Sequence, residues 1–223
     1  MTRPAPVGLL GGTFDPIHYA HLRLAEEAAD VLGLAQVRFI PAAIPPHRGA
    51  PQASAEHRRA MVGIAIGDNS RFVLDDRELQ RQGRSYTFDT LAGIRDELGE
   101  CPLCLLMGAD AFVALTTWHR WSELFSLAHI VIANRPGYRL DELDSALPHA
   151  LKAEYLQRHS NDHRDLARAP AGRIVTHELT AMDVSATALR ESIRLGRSLR
   201  YLLPDDVIAY IRQHHLYKEH DAL

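Results

Sequence analysis

Apolar residues along this chain fall into short continuous runs, separated by longer segments in which they recur every three or four positions. The short runs are Val7–Leu10, Gln36–Ile40, Phe72–Leu74, Leu103–Met107, His129–Ala133 and Ile174–Leu179, and each reads as a buried strand. Helical spacing fills the gaps. Leu22–Leu32 carries Leu24, Ala28, Val31 and Leu32 on one side and stops at Gly33. Ser54 heads a helix over Ala55–Ile66, with Glu56 in its first turn and Met61, Val62, Ala65 and Ile66 apolar. A third helix opens within Arg84–Leu91, where Ser85 and Thr87 are cap candidates, and reaches Leu98. Leu140–Leu156 has helical spacing interrupted by Pro148. Ser185 heads a helix running to Leu195, with Gly196 beyond it. Pro204, Asp205 and Asp206 mark the start of a closing helix. The polar stretch Gln157–Gly172 is expected to be the least ordered or the most variable part. Strand–helix–strand units at this spacing imply right-handed parallel crossovers. The predicted fold class is therefore α/β, a doubly wound, mostly parallel sheet forming one domain over 1–223, with a small helical C-terminal part from about 183.

Composition leaves that picture standing. Hydrophobic residues make up 46% of the 223 and charged residues 24%, ordinary values for a soluble globule. A net charge of −3 gives no general reason to expect nucleic acid as a partner, though it permits a locally basic phosphate pocket. No apolar run approaches the roughly 18 residues a membrane span needs, and no signal peptide is visible. A cytoplasmic protein with no membrane partner is expected. Cys101 and Cys104 have C-x-x-C spacing but run into a strand, where residues three apart face opposite ways; a structural role is expected for both.

The chemistry concentrates near the N-terminus. The first strand runs into Gly11-Gly12-Thr13-Phe14-Asp15-Pro16-Ile17-His18-Tyr19-Ala20-His21, and a helix follows. A strand, a tight glycine turn and a helix start present backbone N–H groups and the positive end of a helix dipole to an anion. Gly11 and Gly12 let the backbone approach a ligand closely. His18 and His21 stand about one turn apart, so both imidazoles can serve one phosphate whose charge grows during reaction. The string is neither a Walker loop, lacking Gly-Lys-Ser/Thr, nor a GxGxxG dinucleotide fingerprint.

GGTFDPIHYAH resembles the signature of the HIGH-type nucleotidyltransferases, and GGTFDPIH is typical of the nicotinate-mononucleotide adenylyltransferases. Four further blocks carry the same resemblance. Pro45-Pro46-His47-Arg48 is similar to the family's PPHK, with Arg48 in place of Lys. Ser85-Tyr86-Thr87 through Leu91 resembles SYT-x-DTL, which borders the pyridine ring. Gly108-Ala109-Asp110 with Thr117-Trp118-His119-Arg120-Trp121 resembles the GAD…TWHRW block. Ser185-Ala186-Thr187-Ala188-Leu189-Arg190 resembles ISST-x-IR, which binds the ATP phosphates. Ala20 and Ala186 depart from the family's Gly and Ser.

The resemblance implies a Rossmann-like nucleotidyltransferase fold and an adenylyl transfer from ATP to nicotinate mononucleotide, giving deamido-NAD and pyrophosphate. It implies His18, His21 and Arg190 as catalytic residues. ATP would meet Gly11, Gly12, Thr13, Phe14, His18, His21, Asn134, Arg135, Ser185, Thr187 and Arg190. The mononucleotide would meet His47, Arg48, Ser85, Tyr86, Thr87, Gly108, Asp110, Trp118 and His119, with Trp118 stacking on the pyridine and Trp121 packing as wall. Mg²⁺ would arrive with ATP rather than in a protein cage. Rival readings are an adenylyltransferase for nicotinamide mononucleotide or pantetheine phosphate, and a nucleotide-sensing module that keeps the fold.

Overall fold

The computed structural model describes residues 4–44, 49–81, 83–134, 143–178, 180 and 182–218. Six strands, β1 (Val7–Gly12), β2 (Gln36–Pro41), β3 (Phe72–Leu74), β4 (Leu103–Gly108), β5 (His129–Ala133) and β6 (Ile174–His177), form one sheet in the order β3-β2-β1-β4-β5-β6. Every pairing is parallel, which a chain of strand–helix crossovers produces. Helices cover both faces, the Rossmann-like arrangement.

Alternation along each strand divides the core in two. Leu10, Val37, Phe39, Cys104, Leu106, Val131 and Val175 point to one side. There they meet helices α1 (Tyr19–Leu32), α2 (Ala55–Ile66), α8 (Ala186–Arg194) and α9 (Asp205–Gln213). Val7, Leu9, Ile40, Leu105, Met107, Ile130 and Ile132 point to the other. That side is covered by α3 (Thr87–Leu98), α4 (Ala109–Val113), α5 (Leu124–Leu127), α6 (Leu143–Ala146) and α7 (His149–Arg158). Cys104, on β4, lies in the first core, and Cys101, two residues before that strand, packs on the second.

Pro148 interrupts the helical stretch as expected, dividing it into α6 and α7 and standing as the N-cap of α7; proline suits a helix start and not its interior. Two expectations change. The polar stretch from Gln157 to Gly172 is anchored rather than loose. Leu166 is fully buried in the first core, the buried His129 ring contacts the Ala169 carbonyl at 2.9 Å, and Arg95 donates to the Pro170 carbonyl at 2.8 Å. Ser85 and Thr87 do not cap α3: Tyr86 is its N-cap residue, and no side chain caps it. Ser54 and Ser185 do cap, accepting from the N–H groups of His57 and Ala188.

Candidate active site

Strand order reverses between β1 and β4, so the crevice beyond their C-terminal ends is where an open α/β sheet takes a ligand. Gly12 ends β1 and Gly108 ends β4, while Asn134 follows β5. The starts of α1, α3 and α8 follow the C-terminal ends of β1, β3 and β6, so parallel topology gathers them at one edge.

The loop after β1 is built around a buried aromatic ring. Phe14 adopts a left-handed backbone, φ 49°. Its ring lies against Phe39 and His21, with centroids 6.0 and 5.0 Å away. A Cβ on Gly12 would sit 3.0 Å from that ring, whereas one on Gly11 would meet nothing within 4 Å. Gly11 therefore borders open space, and Gly12 is small to admit Phe14, a different reason from the close ligand approach expected for both. His18 is the N-cap residue of α1 and is buried; His21 occupies the first turn. The two imidazoles stack with centroids 3.7 Å apart. The His18 backbone N–H donates to His21 Nδ1 at 3.3 Å, which leaves the ring proton of neutral His21 on Nε2. No acid stands in the first turn of α1 to offset the positive helix end.

Arg190 reaches this loop from α8. Its Nη1 donates to the Asp15 carbonyl at 2.7 Å and lies 3.8 Å from the Asp15 carboxylate. Two motifs 175 residues apart in sequence thus meet. The Asp15 carboxylate, 4% exposed, accepts from the N–H groups of Gln52 and Ala53 at 2.8 and 3.0 Å and from the Tyr217 hydroxyl at 2.9 Å. Burial beside that carboxylate pushes the Tyr217 phenol far above its usual range, so it stays protonated and donates.

Beneath the loop lies Arg58 of α2, 1% exposed. Its guanidinium donates to the carbonyls of Ala42 at 2.6 Å, Thr13 at 2.8 Å, Ala43 at 3.2 Å and Ala53 at 3.3 Å. It joins the glycine loop to the segment leaving β2. Burial lowers its pKa and the Asp15 charge opposes the shift.

That β2 segment is tied in turn to the start of α3. Ser85 Oγ accepts from the Ala43 N–H at 2.9 Å, and the Ser85 N–H donates to the Ile44 carbonyl at 3.1 Å. Behind it, buried Glu78 accepts from Thr90 Oγ1 at 2.7 Å. Burial raises the Glu78 pKa, against the pull of hydrogen bonds from Thr90 and Ser85. Tyr86 and His119 face each other at 4.6 Å, bringing the start of α3 to the loop after α4. Trp118 is half-buried against the second core, and Trp121 packs edge-on to Phe125 at 6.3 Å. Asp110 sits in the first turn of α4.

Thus the structure assembles Gly11–His21 with Arg190, and Ser85–Thr87 with His119. The Phe14 side chain is turned into the core, so that residue offers a ligand only its backbone. Ser185 Oγ is engaged in its cap, and Thr187 is exposed. His47, Arg48 and Arg135 lie outside the described residues. Among the described residues, no group of three or more His, Cys, Asp or Glu could hold a metal ion. Sequence reasoning missed Arg58, Glu78 and Tyr217, and took Asp15 only as part of a string. The one available signal for Arg58 was a cation three and four positions before Met61 and Val62, on the stripe that faces the core.

The profile of cytidylyltransferase-like proteins matches residues 9–192. A probable nicotinate-nucleotide adenylyltransferase of Dechloromonas aromatica is 50% identical over 214 residues, 96% of this chain and 98% of that protein. One from Aeromonas hydrophila is 49% identical over 219 residues, 98% of this chain and 99% of that protein. Among solved structures, Plasmodium falciparum nicotinic acid mononucleotide adenylyltransferase complexed with NaAD superposes with a TM-score of 0.74, covering 96% of this chain and 98% of that one at 15% identity. This last likeness is one of fold.

Proposed function

We infer the reaction from one premise: the chain belongs to the cytidylyltransferase-like family and, within it, to the nicotinate-nucleotide adenylyltransferases. It transfers the adenylyl group of ATP to nicotinate mononucleotide, giving nicotinate adenine dinucleotide and pyrophosphate, a step of NAD biosynthesis. The observation that carries the site reading is the meeting of the α3 start with His119 at one end of a crevice whose other end is the glycine loop clasped by Arg190.

A phosphate oxygen of the mononucleotide attacks the α-phosphorus of ATP in line. The bond from that phosphorus to the bridging oxygen breaks, and pyrophosphate leaves with the electron pair. The attacking group is already anionic, so no side-chain nucleophile is needed. Catalysis is positioning plus charge stabilisation. His21 Nε2–H, His18, the start of α1 and Arg190 hold the phosphates, with Arg190 on the leaving pyrophosphate. Mg²⁺ belongs to the ATP substrate, on phosphate oxygens. Phosphorylated nucleotides do not cross membranes unaided, so the reading includes a cytoplasmic location.

At the other end, Trp118 stacks on the pyridine, and backbone N–H groups of the α3 start and of the Trp118–His119 segment serve its carboxylate. A carboxylate only accepts, whereas a carboxamide adds an NH₂ that would face donors. A site built for one hydrogen-bond pattern rejects the other strongly, because buried polar groups are left unpaired. The helix dipole has the same sign. Pyrophosphate release with saturating Mg-ATP and each mononucleotide in turn is the test. A preference for the acid of at least about 100-fold in kcat/KM is expected. A ratio near one, or faster turnover of the amide or of pantetheine phosphate, would replace this reading.

A further inference from the structure

The last described turn of the chain reaches back to the first loop. After α9 the backbone passes through two left-handed, non-glycine residues, His215 at φ 52° and Tyr217 at φ 65°. Such residues persist only where their surroundings over-determine them. Here the Leu216 N–H closes on the Ile211 carbonyl at 3.0 Å, and Tyr217, 8% exposed, turns into the first core. Its hydroxyl is delivered to Asp15 Oδ1 at 2.9 Å, across 202 residues of sequence.

We propose that Tyr217 is a positioning residue for the ATP half of the site, acting through Asp15 on the glycine loop and Arg190. Asp15 is the joint. Its carboxylate gathers the Gln52 and Ala53 N–H groups and the Tyr217 hydroxyl. Its own carbonyl holds the Arg190 guanidinium. Three residues further on stands His18, the N-cap residue of α1. A hydroxyl that fixes the Asp15 side chain therefore fixes the height of the loop and the reach of Arg190. The mononucleotide end shares the Arg58 bridge with the glycine loop but has further ties that do not pass through Asp15, from Ser85 to Ala43 and Ile44 and from Thr90 to Glu78. Loss of the phenol should be felt by ATP far more than by the mononucleotide.

The inference rests on the adenylyl-transfer reading, and Tyr217→Phe in the full chain tests it. The ring that fills the core is kept and one charge-assisted hydrogen bond is removed. The KM for ATP should rise by roughly 10-fold, the scale of one such bond, while the KM for nicotinate mononucleotide moves less than about two-fold. A merely structural role would lower the melting temperature without separating the two KM values. Amide hydrogen exchange without substrate is the second measurement: it should quicken over residues 13–21 and stay unchanged over 86–90. An unaltered KM for ATP, equal rises for both substrates, or unaltered exchange at 13–21 would overturn the proposal. Failure of the adenylyl-transfer reading would appear instead as a wild-type protein that releases no pyrophosphate, and the exchange measurement then decides alone.

Discussion

Replacing Arg58 by methionine should loosen both halves of the site at once. Methionine matches the arginine stem as far as Nε and has no donors, so the change keeps the packing of the stem and deletes the guanidinium head. Two of the bonds lost are short, to Ala42 at 2.6 Å and Thr13 at 2.8 Å, and two are longer, to Ala43 at 3.2 Å and Ala53 at 3.3 Å. Bonds from a charged donor contribute about 1.5–3 kcal/mol each, so the short pair alone represents about 3–6 kcal/mol. Against this stands the cost of keeping a 1%-exposed cation away from water, several kcal/mol that the variant no longer bears. The carbonyls do not benefit, because they stay buried and lose their donor. A net loss of about 2–4 kcal/mol is expected, or a fall in melting temperature of about 4–16 °C at about 2–4 °C per kcal/mol for a chain of this size. Thermal unfolding followed by circular dichroism measures it. Steady-state kinetics below the transition should show KM rising for both substrates, since Arg58 touches the glycine loop and the β2 segment together. Arg58→Lys should fall in between, because an ammonium cannot match the divergent donors of a planar fork. A melting temperature within about 2 °C of wild type in the methionine variant would show that the guanidinium holds neither loop.

Two further variants probe the ends of the crevice. His21→Ala should lower kcat by about 10²-fold or more, as removal of a transition-state donor does, with the melting curve little changed; near-normal kcat in a folded variant would exclude the role. Trp118→Ala should raise the KM for nicotinate mononucleotide by roughly 5- to 150-fold, the range that loss of about 1–3 kcal/mol of stacking implies, and leave that for ATP nearly alone. Equal rises for both substrates would mean that Trp118 only supports the wall.

The sequence by itself determined the order of strands and helices and the parallel class of the sheet, and it named the candidates for the chemistry. Those properties are written locally. Apolar runs bounded by glycine and proline make strands, Ser54 and Ser185 announce helix starts, and a glycine turn before two histidines singles out a candidate anion site. Local pattern misassigned Ser85, whose hydroxyl has a choice of partners. Its own helix start was the obvious one, yet the Ala43 N–H, 42 residues away, is the donor it takes. The polar stretch after α7 misled for a similar reason, since one buried leucine and a few carbonyls taken up by Arg95 and His129 hold it. What only the tertiary structure decided is the scaffold beneath the loops. Arg58, Asp15 and Tyr217 are a cation, an anion and a phenol far apart in sequence, and nothing local says that they meet. They become a scaffold because a parallel sheet delivers every loop to the same edge. There, buried carbonyls and N–H groups without strand partners must find donors and acceptors from distant segments.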